Sequence, residues 1–390
     1  MNLEISLILI LFIVFSLLII NSYVLYPLVI YFLSLIYKVK SSHSHYTLNL
    51  SILISAYNEE KVIEKRIKNI LDQNYDQNKI EILVGSDNSN DRTNEILVKL
   101  KEEIPQLKIF IFNYRQGKAG VINCLAEKAN NDILIFTDAN TEFDVNALKN
   151  LVRHFSEPEV GGVSGKLILV DIQEHLKSGV EEKSYWEYET FIKLAEGKLG
   201  ILIGANGGIF AIRKELFEKI PLDKPVTDDF FISLSVLKKG FKFLYDPEAI
   251  AYEEVAKDIN TEFKRKVRFA ATNFQTISFF KSLLFHKNIL VSYAFWSHKI
   301  IRWFLPLILI SLFFMNLFLL NYNPIFMYLF YLQLMIYFLG LFNYFLTKFN
   351  ISIPVLSLIT YFLITNFALL IGLIRFLRKK HSVIWQSTPR

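Results

Sequence analysis

The chain has 390 residues, of which 52% are hydrophobic, and its 43 Lys and Arg against 37 Asp and Glu give a net charge of +6. Its single cysteine, Cys124, excludes an internal disulfide and a thiolate metal cluster, which agrees with a reducing compartment. A basic excess would suggest nucleic acid in a soluble protein, but many of these cations flank long apolar segments, where anionic lipid headgroups attract them. We therefore predict membrane lipids, and no nucleic acid, as partners.

The first predicted element is a membrane anchor, to which we assign residues 1–40. Residues 7–36 contain no charged side chain, and this length exceeds the roughly 20 residues that cross a bilayer core. Lys38 and Lys40 follow the apolar segment and no cation precedes it, which is the reverse of a secretory signal. The positive-inside rule then places the amino terminus outside and the next domain in the cytosol.

The second predicted unit, residues 41–274, is an α/β domain. Its short β-rich apolar runs alternate with amphipathic segments, a pattern that is typical of a mainly parallel sheet. The predicted strands are 48–56, 80–86, 107–112 and 133–137, and the helices that follow begin at Glu60, Arg92 and Ala119.

Three of these predicted strands end in polar residues, namely 55–60, 87–93 and 137–140. In open α/β sheets the ligand site lies beyond the carboxyl ends of the strands. Taken alone, Asn58 or Asp91 would simply cap a helix. Taken together, carboxylates at three strand ends repel one another unless a cation or ligand donors lie between them, which favours a binding site.

The remaining chain is predicted to lie on the membrane and then to cross it. Residues 261–285 carry five cations among many phenylalanines, which suits the headgroup region, and we assign 275–297 to an interfacial segment. Residues 298–390 are assigned to transmembrane helices and a basic tail. The predicted spans are 301–320, 326–346 and 353–374, with Arg302 as their only charged residue.

The charges after the last predicted span conflict with three full crossings. Such crossings would put Arg375, Arg378 and Lys379 outside, whereas the positive-inside rule places these cations inside. The side of the tail therefore stays open, and a re-entrant segment is one solution.

Several motifs carry a family resemblance in their order and spacing. They are SILISAYNEE at 51–60, ILVGSDNSNDRT at 82–93, RQGKAGVIN at 115–123, ILIFTDANTEFD at 133–144, Asn206-Gly207-Gly208, Thr227-Asp228-Asp229 and the run 265–269. From about Ser51 to Phe274 the chain resembles the family 2 inverting glycosyltransferases, and its flanking spans are similar to those of membrane polysaccharide synthases in that family. The resemblance implies a GT-A fold, which is a nucleotide-sugar-binding α/β domain with a mainly parallel mixed sheet, here flanked by transmembrane helices.

The resemblance implies a donor site that contains a divalent cation. Asp138 and Asn140 occupy the D-x-D position, which implies that they hold Mg²⁺ or Mn²⁺ on the donor diphosphate through oxygen ligands. Because the last position is Asn rather than Asp, Asp138 would bear most of the charge. The donor-binding residues carried over in this way are Tyr57, Glu59, Asp87, Lys118, Asp138, Arg265 and Arg268.

The resemblance also implies a catalytic base and an acceptor side. Thr227-Asp228-Asp229 resembles the T-E-D motif, which makes Asp229 the candidate base for the acceptor hydroxyl. The run from Arg265 to Phe269 corresponds to Q-x-x-R-W, with Arg for Gln and Phe for Trp, so that Arg268 would contact the diphosphate and Phe269 the acceptor sugar. The implied acceptor residues are Asn206, Gly207, Asp228 and Phe269, whereas the aromatic segment 185–188 either contacts sugar rings or packs in the core.

These features predict transfer of a sugar, with inversion, from a nucleotide-diphosphate sugar to a polysaccharide or a lipid-linked acceptor at the cell inner membrane. A non-processive transferase to polyprenyl phosphate is an alternative, from which product length would distinguish it. A transporter or a sensor with a nucleotide-sugar-binding domain is an alternative of another class. A transporter would have ionisable residues inside its membrane spans. A catalytically inert sensor would lack the candidate base, Asp229.

Overall fold

The computed structural model describes residues 3–37, 47–170, 179–254, 259–349, 351 and 353–379, with the side chains of 179–185 and 259–262 excepted. Lys38 and Lys40, on which the predicted orientation depends, lie outside the described residues, as does the side chain of Tyr185. The strands are β1 Leu50–Ala56, β2 Ile80–Ser86, β3 Leu107–Ile111, β4 Ile133–Asp138, β5 Glu142–Phe143, β6 Val160–Val170, β7 Phe210–Arg213 and β8 Lys242–Glu254.

The helices include a first pair at the amino terminus, α1 and α2, which a π-helical turn at Asn21–Leu25 joins into one rod. A second π-helical turn, at Phe295–Ile300, joins α10 to α11. The helices are α1 Leu3–Ile20, α2 Tyr26–Ile36, α3 Ile63–Leu71, α4 Thr93–Glu103, α5 Gly117–Lys128, α6 Ala147–Val152, α7 Gly179–Leu199, α8 Asp228–Lys238, α9 Ile259–Phe279, α10 Ile289–Ala294, α11 Ile301–Leu319, α12 Pro324–Thr347 and α13 Pro354–Leu377.

The strands form one mixed sheet in the order β3-β2-β1-β4-β7-β6-β8-β5. The first four strands in this order run parallel, whereas β7 is antiparallel to both of its neighbours. The four strands that the sequence predicted are therefore present, and they form the parallel half of the sheet. Both faces of β1, β2 and β4 are buried, because helices cover a parallel sheet on its two sides, whereas the edge strand β3 is only partly buried. Leu50, Ile52 and Ile54 pack towards one core, and Leu53 towards the other.

The parallel half brings the polar strand ends to one rim. In the registered pairs, Ser55 of β1 lies opposite Asp138 of β4, and Ala56 lies opposite Ser86 of β2. The loops that leave these strands therefore begin side by side. Helices α4 and α5 also begin at this rim, where Asp91 and Asp87 accept hydrogen bonds from the N–H groups at the two helix starts.

Four helical segments are long and apolar enough to cross a membrane, namely Leu3–Ile36, Ile289–Leu319, Pro324–Thr347 and Pro354–Leu377. The predicted anchor and the three predicted carboxy-terminal spans thus form helices. The first two segments run antiparallel: Asn21 Nδ2 donates to Ser297 Oγ at 2.9 Å, and Phe12 contacts Phe326 just beyond α11. Helix α9 continues through residue 274, where the sequence placed the end of the soluble domain.

Candidate active site

A partly buried ion cluster lies at the carboxyl end of β4. The Lys118 ammonium group is 2.8 Å from Asp138 Oδ1 and 2.8 Å from Asp228 Oδ2. Burial alone would lower the pKa of Lys118, but the two carboxylates outweigh it and hold the pKa well above its usual value. Lys118 is therefore a permanent cation between two predicted binding residues that lie 90 positions apart in the chain.

Asp229 adjoins this cluster at the start of α8. Its Oδ1 accepts a hydrogen bond of 2.7 Å from the backbone N–H of Phe230. Burial, and then the charge of Asp228, raise the pKa of Asp229 to about 7. Gly207 lies directly against the carboxylate, since a Cβ at this glycine would be 3.1 Å from Asp229 Oδ2. The structure thus holds a carboxylate that changes protonation near neutral pH.

Asp87 holds the amino-terminal end of α5. Its carboxylate accepts hydrogen bonds from the backbone N–H groups of Gln116 and Gly117, at 2.6 and 3.0 Å, and from Arg115 Nε at 3.0 Å. The Arg115 guanidinium also lies 3.3 Å from the centre of the Tyr57 ring. Asp87 and Tyr57 are therefore joined through Arg115, whose role the sequence motifs had not indicated.

The loops after β1 and β2 are tied to each other by side-chain caps. Asn58 Oδ1 accepts from the Asn90 N–H at 3.0 Å, and Asp91 accepts from the N–H groups of Thr93 and Glu60 at 3.0 and 3.1 Å. Asn58 and Asp91 thus satisfy backbone donors, as the capping interpretation predicted. The Glu59 N–H donates to Thr93 Oγ1 at 2.9 Å, which fixes Glu59 at this rim.

The predicted metal ligands provide hard oxygen donors at the same rim. Asp138 faces the Lys118 cluster, and Asn140 donates from Nδ2 to Glu253 Oε1 at 3.2 Å, so the atom that remains for a ligand is its carbonyl oxygen. Among the described residues, no three His, Cys, Asp or Glu side chains are grouped as a complete metal site. A site with one carboxylate and one amide oxygen fits a cation that takes its other ligands from a diphosphate and water.

Helix α9 packs against the start of α8. Thr227 Oγ1 lies 2.8 Å from Thr272 Oγ1 and donates to Asn273 Oδ1 at 2.8 Å. Arg268 is close enough to Asp228 for that carboxylate to favour its charged form, although burial and the neighbouring charge of Arg265 together lower its pKa. Arg268 therefore lies within electrostatic range of Asp228, which is itself paired with Lys118.

Phe269 and Arg265 lie beside Arg268 on α9. The Phe269 ring is 5.3 Å from the Arg268 guanidinium and 5.9 Å from that of Arg265, and 40% of the side chain is exposed. An accessible aromatic face thus adjoins the pocket.

Asn206 and Gly207 form the opposite wall. Asn206 Nδ2 donates to the Gly165 carbonyl at 2.7 Å, and its Oδ1 accepts from Lys193 on α7. Burial, and then the charge of Lys299, lower the pKa of Lys193 to about 8. The ammonium groups of Lys193 and Lys299 therefore lie on the Asp229 side of the pocket, towards the membrane helices.

A buried polar cluster joins α7 to the membrane segments, and we call it the α7 dock. Glu189 accepts from Arg302 Nη1 at 2.6 Å and lies 2.9 Å from His298 Nε2, whereas Glu196 lies 2.6 Å from His298 Nδ1 and accepts from the Tyr26 hydroxyl. Burial would raise the pKa of Glu189, but His298 and Arg302 hold it well below its usual range.

No motif in the sequence indicates a function for Glu189, Glu196, His298 or Arg302 of the α7 dock. The available signal was the isolated Arg302 in an apolar segment, together with the spacing of Trp186, Glu189, Lys193 and Glu196, which places them on one face of a helix. Trp186 lies on this face with its ring 5.8 Å from Lys193 Nζ, and Tyr188 accepts a hydrogen bond from Arg302 Nη2 at 3.0 Å.

Comparison with known proteins is consistent with this geometry. Residues 51–221 match the sequence family described as Glycosyl transferase family 2. The chain is 28% identical over 238 residues to "Probable glycosyltransferase YdaM" of Bacillus subtilis, covering 57% of this chain and 55% of that protein. It is 25% identical over 227 residues to "Poly-beta-1,6-N-acetyl-D-glucosamine synthase" of Staphylococcus aureus, covering 57% and 53%. The chain thus spans about half the length of the curated relatives it matches.

A solved structure has the same fold over nearly the whole chain. It is titled "Mannosyltransferase PcManGT from Pyrobaculum calidifontis in complex with GDP-Man and Mn2+", with a TM-score of 0.71, 19% identity and coverage of 95% of this chain and 100% of that one. The predicted fold class, a GT-A domain flanked by membrane helices, is confirmed by this likeness and by the sheet described above.

Proposed function

We propose that this protein, whose residues 51–221 match the family described as Glycosyl transferase family 2, transfers a sugar, with inversion, from a nucleotide-diphosphate sugar to a glycan or lipid-linked acceptor. The observation that carries the proposal is the Lys118 cluster, in which a partly buried cation joins Asp138 to Asp228, directly beside Asp229. A fixed cation suits a diphosphate, and a carboxylate with a pKa of about 7 suits a base at neutral pH.

The proposed reaction is a direct displacement at the anomeric carbon. The acceptor hydroxyl oxygen forms the new glycosidic bond, the bond between the sugar and the diphosphate breaks with its electron pair going to the diphosphate, and Asp229 takes the hydroxyl proton. Lys118 and Arg268 are proposed to stabilise the charge that develops on the leaving diphosphate, which the paired carboxylates around Lys118 support. Asp87, Tyr57, Glu59 and Arg265 are proposed to complete the donor side.

We propose Asp138 and Asn140 as the residues that would hold Mg²⁺ or Mn²⁺. When bound, such a cation would neutralise part of the charge of the donor diphosphate. Asn206, Gly207, Asp228 and Phe269 are proposed to line the acceptor side, where the exposed Phe269 ring offers a face to a sugar.

We propose that the catalytic domain faces the cytosol at the cell inner membrane. Nucleotide sugars are charged and do not cross a bilayer unaided, so the donor site must lie where they are made. The candidate spans on both sides of the domain agree with a membrane protein.

A phosphate-bearing acceptor is a second candidate, which the positions of Lys193 and Lys299 favour. Both ammonium groups lie on the Asp229 side of the pocket, and the charge of Lys299 lowers the pKa of Lys193. An anionic group between them would relieve this repulsion. A polyprenyl phosphate would then receive a single sugar, whereas a polysaccharide acceptor would grow.

The test is transfer by the purified full-length protein in detergent. A panel of radiolabelled UDP- and GDP-sugars would be supplied with membrane lipid extract, and the labelled product would be sized on a gel. We expect one donor to be used, with long products for a polysaccharide acceptor and a single short product for a lipid phosphate. Failure of every donor to bind in calorimetry would remove the proposed function, and full activity in excess chelator would remove the metal.

A further inference from the structure

The last apolar helix, α13, carries positive charge just beyond its end. Arg375 lies in its last turn and is followed by Arg378 and Lys379, whereas Lys348 follows α12. If α13 crossed the bilayer, these two groups of cations would lie on opposite faces. The positive-inside rule instead places both on one face. The length and composition of α13 are compatible with crossing the bilayer. Its orientation therefore has to be inferred from its packing against the other helices.

Helix α13 lies along the basic helix α9. Phe367 stacks on Phe263 with ring centres 6.3 Å apart, and Phe376 stacks on Phe274 at 6.1 Å. Between these contacts, Gly372 is packed so closely that a Cβ at this position would lie 2.3 Å from Ala270 Cβ. The two helices therefore run side by side in the same direction over most of the length of α9.

The charges of α9 exclude it from the bilayer core. Over the stretch that contacts α13 it carries Lys264, Arg265, Lys266 and Arg268, and Arg268 also reaches the pocket at Asp228. Each such cation would cost at least about 2.5 kcal/mol at the bilayer centre. Since α9 belongs to the catalytic domain and lies outside the core, a helix that follows it side by side does not cross the core either.

Contacts with α11 and α12 place both halves of α13 at a similar depth. In the first half, Asn343 Nδ2 of α12 donates to Thr360 Oγ1 at 2.9 Å. In the second half, Phe376 reaches Phe304 of α11 through Phe274, with ring centres 6.1 and 5.3 Å apart.

Both contacts are far from the turn that joins α11 to α12. At about 1.5 Å of rise per residue, Asn343 and Phe304 lie about 30 and 24 Å from that turn, while Thr360 and Phe376 are about 24 Å apart along α13. For α11 and α12 running along the membrane normal, the two positions on these helices differ in depth by about 6 Å, whereas Thr360 and Phe376 span a length of α13 that would nearly cross the hydrocarbon core.

We infer that α13 lies in the plane of the membrane, at the boundary between headgroups and acyl chains on the face that carries the catalytic domain. Its partner is the lipid surface itself. Phe367 and Leu377, which are 58% and 68% exposed, would enter the acyl region, and Arg375, Arg378 and Lys379 would meet lipid phosphates. The bilayer is then crossed by Leu3–Ile36, Ile289–Leu319 and Pro324–Thr347, which removes the conflict between the charges and three carboxy-terminal crossings.

The side of the chain after α13 is tested by cysteine labelling in intact cells that express the full chain. In a Cys124→Ser background, single cysteines would be placed at Lys379, at Asp223 in the catalytic domain and at Asn321 in the turn between α11 and α12, and a membrane-impermeant maleimide would be added before and after permeabilisation. We expect Lys379→Cys to label together with Asp223→Cys, and Asn321→Cys to show the opposite behaviour. Labelling of Lys379→Cys together with Asn321→Cys would overturn the inference.

The depth of α13 is tested in proteoliposomes with nitroxide labels, one per protein, in the same background. Leu358, Phe367 and Ile374 on α13 would be compared with Tyr328, Phe338 and Phe345 on α12, because all six side chains are exposed. Collision with oxygen and with a nickel chelate reports depth. We expect a flat depth profile along α13 and a profile with its deepest point near Phe338 along α12. A profile along α13 with its deepest point near Phe367 would contradict the inference.

Discussion

The rim at the carboxyl ends of the strands is a partly buried cluster of charge and the α7 dock is a buried one, and the two are assembled differently. At the rim, each charged side chain lies next to the end of a strand or the start of a helix, and several are held by backbone N–H groups, as Asp87 is by Gln116 and Gly117. In the α7 dock, Glu189 and Glu196 are held mainly by side chains of the membrane segments, namely His298 and Arg302 about 100 residues later in the chain and Tyr26 before them, although Glu196 also accepts from the Ile203 N–H.

This difference predicts in which cluster a charged side chain can be substituted without loss of the fold. The rim is built on a sheet whose apolar core holds without the charges, so removal of a rim side chain mainly changes chemistry. In the α7 dock the charges themselves join the catalytic domain to the membrane helices. Removal of one partner there leaves a buried charge uncompensated.

The largest expected effect is that of Asp229→Asn at the rim. The substitution removes the proposed base while it keeps the shape of the side chain, so we expect the kcat of sugar transfer to fall by about 10²- to 10⁴-fold with nucleotide-sugar affinity retained. Single-turnover transfer and calorimetry on the purified protein would measure the two quantities. Asp223→Asn, at an exposed loop position, is the matched control. Transfer at the unchanged rate would show that Asp229 is not the base.

Arg302→Met in the α7 dock is expected to act on stability. Arg302 donates to Glu189, to the Ser22 carbonyl and to the Tyr188 hydroxyl, so its loss leaves the buried Glu189 without its closest cation. We expect a loss of about 3–5 kcal/mol in the free energy of unfolding, seen as a lower thermal midpoint in detergent. Adding Glu189→Gln should restore part of this loss.

Lys149→Met, on an exposed face of α6, is the control for that experiment. If Arg302→Met left the thermal midpoint at the control value, the α7 dock would not stabilise the junction between the catalytic domain and the membrane segments.

Arg115→Met should have a smaller effect, confined to donor binding. Arg115 covers the Tyr57 ring and holds Asp87, and we expect its loss to cost about 1 kcal/mol, or roughly fivefold in the KM for the nucleotide sugar, with kcat unchanged. Arg92→Met, at an exposed position of the same rim, is the control. A change in kcat at constant KM would place Arg115 in the chemical step instead.

The sequence was sufficient for the parts of the molecule that follow from local pattern. The strand from Ile80 to Ser86 has its predicted limits, because an apolar run bounded by polar loops determines both ends. The rim was predictable for the same reason, since parallel strands place their carboxyl ends together, and Asp138 and Lys118 indeed lie there.

The rest depends on which distant helices pack together. A local pattern cannot show that Glu196 meets His298, because each residue alone is ordinary in composition. The orientation of α13 could not be predicted from the sequence for a related reason. Its apolar length is equally suited to crossing the bilayer or lying on it, and its packing against α9, α11 and α12 distinguishes these states.

The smallest expected effect at the rim is a shift in the pH dependence of kcat/KM. This measurement separates the influence of the adjacent carboxylates Asp228 and Asp229. Burial and the charge of Asp228 raise the pKa of Asp229 to about 7, while Lys118 and Lys193 lower it. A base must be deprotonated to act, so activity should fall as the pH drops through about 7. In Asp228→Asn the raising charge is gone, and we expect this acid limb to move to lower pH.

A full pH profile of transfer by both proteins measures this shift, with Asp223→Asn expected to keep the wild-type limb. An acid limb that stays in place, or moves to higher pH, would mean that the charge of Asp228 does not act on the group that titrates. The base would then have to be sought away from the start of α8, since it is the adjacency of Asp228 and Asp229 in that first turn that couples the two carboxylates.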